Sequence, residues 1–226
     1  ISKMYEVLIE LRYLEANPAR MVKDLSQRES EREVYVSFED FQKIVDQLPD
    51  WVRPIAQTAY FSGMRRGEIV GMTRQQVNLE SRIIRLRPAD VKERKWKRVP
   101  IRGELAFVLK EAMRIRSFNS DRVFPVEGRP TRPDSLRKPW VRAVQAVGLD
   151  PAPTFHDLRH TWKTNAMRSG VDFEIREAIL GHSNRTKSVA ERYGRISDED
   201  LVRAVNKIRF DNGKTEILVR GSYQDS

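Results

Sequence analysis

Thr154-Phe155-His156-Asp157-Leu158-Arg159-His160 places an imidazole and a guanidinium three residues apart. Side chains at that spacing share one face of an α-helix, so His156 and Arg159 are expected to point at the same place. The pair suits a phosphoryl group. Arginine offers a rigid two-pronged donor matched to phosphate oxygens, and histidine donates a hydrogen bond or moves a proton. Most isolated HxxR tetrapeptides lie on a solvated helix face, so the rest of the chain has to decide what this one does.

The 226 residues carry 42 Lys and Arg against 32 Asp and Glu, a formal charge of +10. Such a molecule attracts polyanions before any specific contact forms, and nucleic acid is the expected partner. No apolar run approaches the roughly 20 residues of a membrane-spanning helix. No long amphipathic segment with a basic face supports surface attachment to a membrane either. The absence of cysteine removes disulfides, thiolate nucleophiles and thiolate zinc sites, and it fits a reducing cytoplasm, the compartment expected. His156 and His160 also form an HxxxH pair. With His182 the third and last histidine and no HExxH glutamate, neither a metal site nor a cofactor is expected.

Outward from the HxxR segment, helical spacing of apolar residues recurs along most of the chain. Ser37 is a candidate N-cap with Asp40 three residues later, ahead of Phe41, Ile44, Val45 and Leu48 on one face. Another helix starts near Trp51, and further ones are expected over 105–115, 136–147, 156–168, 172–181 and 197–208, the last capped by Ser197. Ile83–Leu86 and Arg98–Ile101 read as short strands joined by an exposed basic turn, Lys92 to Lys97. The fold class expected is mixed α/β, predominantly helical, with a small antiparallel sheet.

Met4, Leu8 and Leu11 predict one amphipathic helix at the start of the chain, followed by a polar, charged linker around Asp24–Glu33. The chain begins with Ile1 and shows no signal-peptide pattern, so it reads as a fragment of a longer protein. The divisions expected are a remnant helix at 1–25, a linker at 26–34, a main domain at 35–210 and a tail at 211–226 with a possible strand at Thr215–Val219.

Three further segments give the HxxR box its meaning. They are Phe61-Ser-Gly-Met-Arg65-Arg66-Gly-Glu68, then Val91-Lys92-Glu-Arg-Lys95-Trp-Lys97-Arg98-Val-Pro100, and finally Ile179-Leu-Gly-His182-Ser with Glu191-Arg-Tyr193 beyond it. Together, and in this order, the boxes resemble those of the tyrosine recombinases, the phage-integrase-type enzymes, over about residues 35–196. The resemblance implies the catalytic domain fold of that family and six catalytic residues: Arg65, Lys92, His156, Arg159, His182 and Tyr193. Lys92 is assigned by its place eight residues before Pro100, with Lys95 and Lys97 as rivals. Glu68 is implied as a carboxylate supporting the arginines, and Arg66, Lys95, Lys97 and Arg98 as DNA contacts. The spacing from His182 to Tyr193 is eleven residues, two longer than in most relatives.

Chemically, the resemblance implies breakage and rejoining of double-stranded DNA through a 3′-phosphotyrosyl intermediate, without metal or ATP. It implies a homo-oligomer, a tetramer on paired DNA sites, from protomers that can be monomeric off DNA. The first 25 residues would be the closing helix of a separate core-binding domain. Two alternatives stand beside it: a type IB topoisomerase-like relaxing enzyme, and a non-catalytic DNA-binding regulator with the same fold.

Overall fold

A computed structural model of the chain describes residues 2–18, 34–114, 120–181 and 196–210. Contacts divide it into two units, residues 1–33 and 34–226. In the first, α1 (Ser2–Glu10) is followed by a turn at Arg12, whose φ is 60°. Met4, Val7 and Leu11 of this unit are exposed.

The second unit starts where the sequence places a cap. The Ser37 hydroxyl accepts the Asp40 N–H at 3.1 Å, satisfying one of the donors orphaned at the start of α2 (Phe38–Gln47). Helix α3 (Arg53–Ser62) has Pro54 in its first turn, where a missing N–H costs nothing, and it runs through the core. Ile55, Ala56, Ala59 and Tyr60 are essentially inaccessible on it. It packs against α5 (Gly103–Arg114) and α7 (Asp157–Arg168). α3 ends at Gly63 in the left-handed conformation, φ 66°. A Cβ there would lie 2.9 Å from the Trp162 ring of α7, so a glycine is needed both for the turn and for the close approach.

The short helix α4 (Arg66–Gly71) leads to a three-stranded antiparallel sheet ordered β1 (Val77–Asn78), β2 (Ile83–Leu86), β3 (Lys97–Pro100). In register, Ile84 faces Val99 and Leu86 faces Lys97. A second hairpin pairs β4 (Pro125–Val126) with β5 (Arg129–Pro130). Helix α6 (Arg137–Val147) packs on α2, while α8 (Phe173–Leu180) and α9 (Asp198–Asn206) both pack on β3. Ser197 caps α9 by accepting the Asp200 N–H at 3.1 Å. Among the described residues, no helix is long and apolar enough to cross a membrane.

Apart from α4, which the sequence reading did not anticipate, the helices and the β2–β3 pair fall within a few residues of the sequence expectation, and the fold is the mixed, mostly helical one expected. One boundary needs correction: the second strand begins at Lys97, not Arg98. Strand β1 and the β4–β5 hairpin, two residues per strand, are too short for period-two alternation to declare them. The possible strand at Thr215–Val219 lies outside the described residues.

Candidate active site

Arg159 enters the site in the first turn of α7. The start of that helix is set by Asp157, whose carboxylate accepts the Thr154 N–H at 2.6 Å and the Thr154 hydroxyl at 2.8 Å. Asp157 is therefore a structural part of the HxxR box. His156 occupies the N-cap position and is exposed, while Arg159 is 5% exposed. The two face the same cleft at different depths, the guanidinium inside and the imidazole at the rim.

Backbone carbonyls hold Arg159. Nη1 donates to Gly63 O and Nη2 to Leu180 O, both at 2.7 Å, so the guanidinium ties the end of α3 to the end of α8. Burial first, then the positive charge of Arg65, brings its pKa down to about 10, which still leaves it charged at neutral pH.

Arg65 precedes α4 and lies across from Arg159. The Glu68 carboxylate accepts the Arg65 backbone N–H at 2.9 Å and Nη1 at 3.1 Å. Glu68 is 4% exposed. Burial pushes its carboxyl up, but the Lys97 ammonium, the Arg65 N–H and the Arg65 charge together outweigh that and hold it below the usual carboxylate range. A carboxylate so placed fixes the Arg65 side chain relative to its own backbone.

Lys97 is not the surface DNA contact expected. It is 3% exposed, and its ammonium donates to Glu68 Oε2 at 2.7 Å. Burial, partly offset by Glu68, brings its pKa down to about 8. The reason for its burial is the strand: Lys97, Val99 and Ile101 alternate inward, all at 3% exposure or less. The same alternation was available in the sequence, where the run of basic residues concealed it. The stem of Lys97 passes beneath Gly181, at which a Cβ would lie 3.2 Å from Lys97 Cδ.

Arg98, the other expected DNA contact on this strand, is engaged by the protein. It donates to Asp198 Oδ1 and to Ile196 O, both at 2.8 Å, and Arg85 also binds Asp198. It therefore moors α9 to the sheet. Lys92 and Lys95 are exposed on the turn between β2 and β3, together with Trp96. Arg66 makes a surface ion pair with Asp134 at 3.1 Å, a contact that holds little against solvent.

Sequence reading missed Glu93. Its carboxylate grips Arg65, with Oε2 3.0 Å from Nη1 and Oε1 2.5 Å from Nη2. An acid within a run of basic residues has the look of a solvated charge, and nothing in the local pattern distinguishes it. His182 and Tyr193 lie outside the described residues.

Arg65, Arg66, Arg137, His156 and Arg159 line a cleft of about 630 Å³ to which Trp140 and Val144 also contribute. The His156 and His160 rings meet edge to face at 5.0 Å. Among the described residues, no group of three or more His, Cys, Asp or Glu is arranged to hold a metal ion. The arrangement can bind a tetrahedral anion, with two guanidiniums inside and a proton-transfer group at the rim.

A cleft lined by four arginines on a mostly helical domain with this sheet suits an anionic ligand. The chain belongs to the phage integrase family, whose sequence profile matches residues 34–200. It is 30% identical over 172 residues to tyrosine recombinase XerA of Pyrococcus horikoshii, covering 74% of this chain and 57% of that protein. The fold is similar to a lambda integrase(75–356) dimer bound to a COC′ core site, with TM-score 0.65 and 17% identity over 82% of this chain and 70% of that one. It is also similar to a lambda integrase tetramer bound to a Holliday junction, with TM-score 0.64 and 18% identity over 82% of this chain and 57% of that one. The chain thus spans a little over half the length of the XerA relatives it matches, 57% and 55%.

Proposed function

We propose that this chain is the catalytic part of a site-specific DNA recombinase that cuts and rejoins strands through Tyr193. The observation that carries the reading is the convergence of Arg65 and Arg159, 94 residues apart in sequence, on one cleft. A phosphodiester gains negative charge on its non-bridging oxygens as a nucleophile attacks. Two fixed guanidiniums stabilise that charge without reorganising, and His182 is assigned to the same cage.

In the reaction, the Tyr193 oxygen forms a bond to phosphorus as the bond from phosphorus to the 5′-oxygen breaks. The tyrosine proton passes towards His156, and Lys92 protonates the departing 5′-oxygen. The product is a 3′-phosphotyrosine and a free 5′-hydroxyl. Attack by a hydroxyl from a second duplex reverses these steps, so strands exchange without ATP.

The other described tyrosines of the main unit support the choice of Tyr193. Tyr60 is fully buried and stacked on Phe41 at 3.9 Å, and Tyr35 donates its hydroxyl to Asn165 at 2.9 Å. Double-stranded DNA is the substrate, and a tetramer on paired sites is the working assembly, in keeping with the lambda integrase tetramer on a Holliday junction. Reducing surroundings suit the cysteine-free chain, and its action is placed in the cytoplasm. Residues 1–25 are assigned as the end of a core-binding domain that a longer parent would carry.

Incubation with a nicked suicide substrate in excess chelator tests this directly. Wild type is expected to become covalently attached to DNA, with the adduct mapping to Tyr193, and Tyr193→Phe is expected to bind DNA without attachment. Absence of any adduct from wild type would overturn the enzymatic reading.

A further inference from the structure

Glu93 lies against the Arg65 guanidinium at the edge of the cleft. Its two oxygens face Nη1 and Nη2 of Arg65 at 3.0 and 2.5 Å, the paired geometry with which a guanidinium takes a phosphate. Its charge also acts on Arg159. On the other side, a Cβ at Gly181 would lie 3.7 Å from Glu93 Oε2, so the carboxylate fills the space between Arg65 and the end of α8. Side-chain exposure is 18% for Glu93 and 23% for Arg65, so the pair is largely shielded from solvent. The neighbouring residue, Lys92, is exposed and belongs to the same turn.

We propose that Glu93 is a built-in stand-in for the scissile phosphate, and that its displacement by DNA frees the β2–β3 turn to bring Lys92 to the leaving oxygen. The assignment of Lys92 and of the phosphate to these arginines rests on the function proposed above. Charge bookkeeping favours the exchange: one anion replaces another at Arg65, whose second carboxylate partner, Glu68, stays in place throughout. Adjacency makes the two events one. While Glu93 is held inward, Lys92 is kept on the solvent side, and the general acid arrives when a phosphate has taken the place of the carboxylate. An isolated protein with this latch closed has no proton donor over an empty site.

The test uses the full chain and its Glu93→Gln variant, with two readouts. The first is the rate of tryptic cleavage after Arg94 and Lys95, mapped by mass spectrometry, in chloride and in inorganic phosphate at equal ionic strength. A charge-assisted, two-point contact implies that Glu93→Gln speeds these cuts roughly fivefold to tenfold. Phosphate should speed them in wild type and leave the variant unchanged. Equal cleavage of the two proteins in chloride, or a wild-type rate that phosphate does not alter, overturns the latch.

The second readout is single-turnover attachment to the nicked suicide substrate, expected to be faster in Glu93→Gln than in wild type. Slower attachment by the variant would mean that Glu93 positions Arg65 for catalysis, and would also overturn the latch. If neither protein attaches to DNA while the tryptic pattern behaves as stated, the latch stands as an anion-released contact and the recombinase reading is what fails.

Discussion

Glu68 Oε2 accepts hydrogen bonds from two sources at once, the backbone N–H of Arg65 at 2.9 Å and the ammonium of Lys97 at 2.7 Å. One carboxylate oxygen thereby joins the start of α4 to the inner face of β3. Both side chains are almost wholly removed from water, and the other carboxylate oxygen meets the Arg65 guanidinium at 3.1 Å.

Removing both partners should cost less than the two single losses added together. Glu68→Gln is expected to cost about 3 kcal/mol in urea unfolding, since it leaves the buried Lys97 ammonium without its carboxylate, and Lys97→Met less, since Arg65 still meets Glu68. The double variant should lose clearly less than the sum, a coupling of more than about 1 kcal/mol. Additive losses would show that the pair contributes nothing as a pair.

Gly63 carries two duties, and alanine interferes with both. Its φ of 66° and the 2.9 Å approach of a Cβ to Trp162 predict a loss of about 2 kcal/mol or more for Gly63→Ala. Its carbonyl also holds Arg159, so DNA attachment should fall beyond what instability explains. Gly148→Ala has a similar φ of 74° but open space around it, and should cost only about 1 kcal/mol. Comparable losses at both positions would remove the steric argument.

The acid limb of the cleavage rate should report His156. Partial desolvation at the cleft rim, then the charges of His160 and Arg159, hold its pKa below the ordinary 6.5. A depressed pKa means the imidazole sheds its proton at lower pH than a free one, so the proton-accepting form persists into mild acid. Single-turnover attachment is therefore expected to fall only below pH 6.5, and His156→Asn should abolish that limb along with most of the rate. A limb centred above that pH would contradict the assignment.

Lys92 and Lys97 can be told apart by the leaving group. Lys92→Ala is expected to lose about 100-fold or more in attachment to ordinary DNA, the usual worth of a general acid. A substrate with sulfur in place of the 5′-oxygen needs no proton on departure and should restore most of the rate. Restoration in Lys97→Met instead would move the acid to the strand.

Arg66 provides a control outside the cage. Its contact with Asp134 is exposed, so Arg66→Ala should leave the unfolding midpoint unchanged. If it meets a phosphate, DNA affinity drops for every sequence alike and the salt slope falls by about one. An unaltered slope would exclude it from the DNA surface.

Much of this was legible before any coordinates. Apolar spacing placed α2, α5 and α7, and the caps at Ser37 and Ser197 were readable because a hydroxyl three residues ahead of an acid has one economical use. The grip on Arg159 was not, because its partners are the carbonyls of Gly63 and Leu180, and backbone acceptors leave no mark in a sequence. Lys97 was misread because a basic run suggests solvent, whereas strand alternation, here the stronger rule, puts every second residue inside. Glu93 gave no local sign, since its meaning depends on Arg65, 28 residues away.

Strand β3 holds both ends of the span that carries His182 and Tyr193. Lys97 lies against Gly181 as the chain leaves, and Arg98 grasps Ile196 and Asp198 as it returns. Two neighbouring residues, pointing to opposite faces, act as a pair of gateposts whose separation is set by the strand. Adding or deleting a residue between the posts need not disturb the framework beneath. The distance from His182 to Tyr193, the proposed nucleophile, is thus a dimension that evolution can retune without rebuilding the proposed cage of arginines.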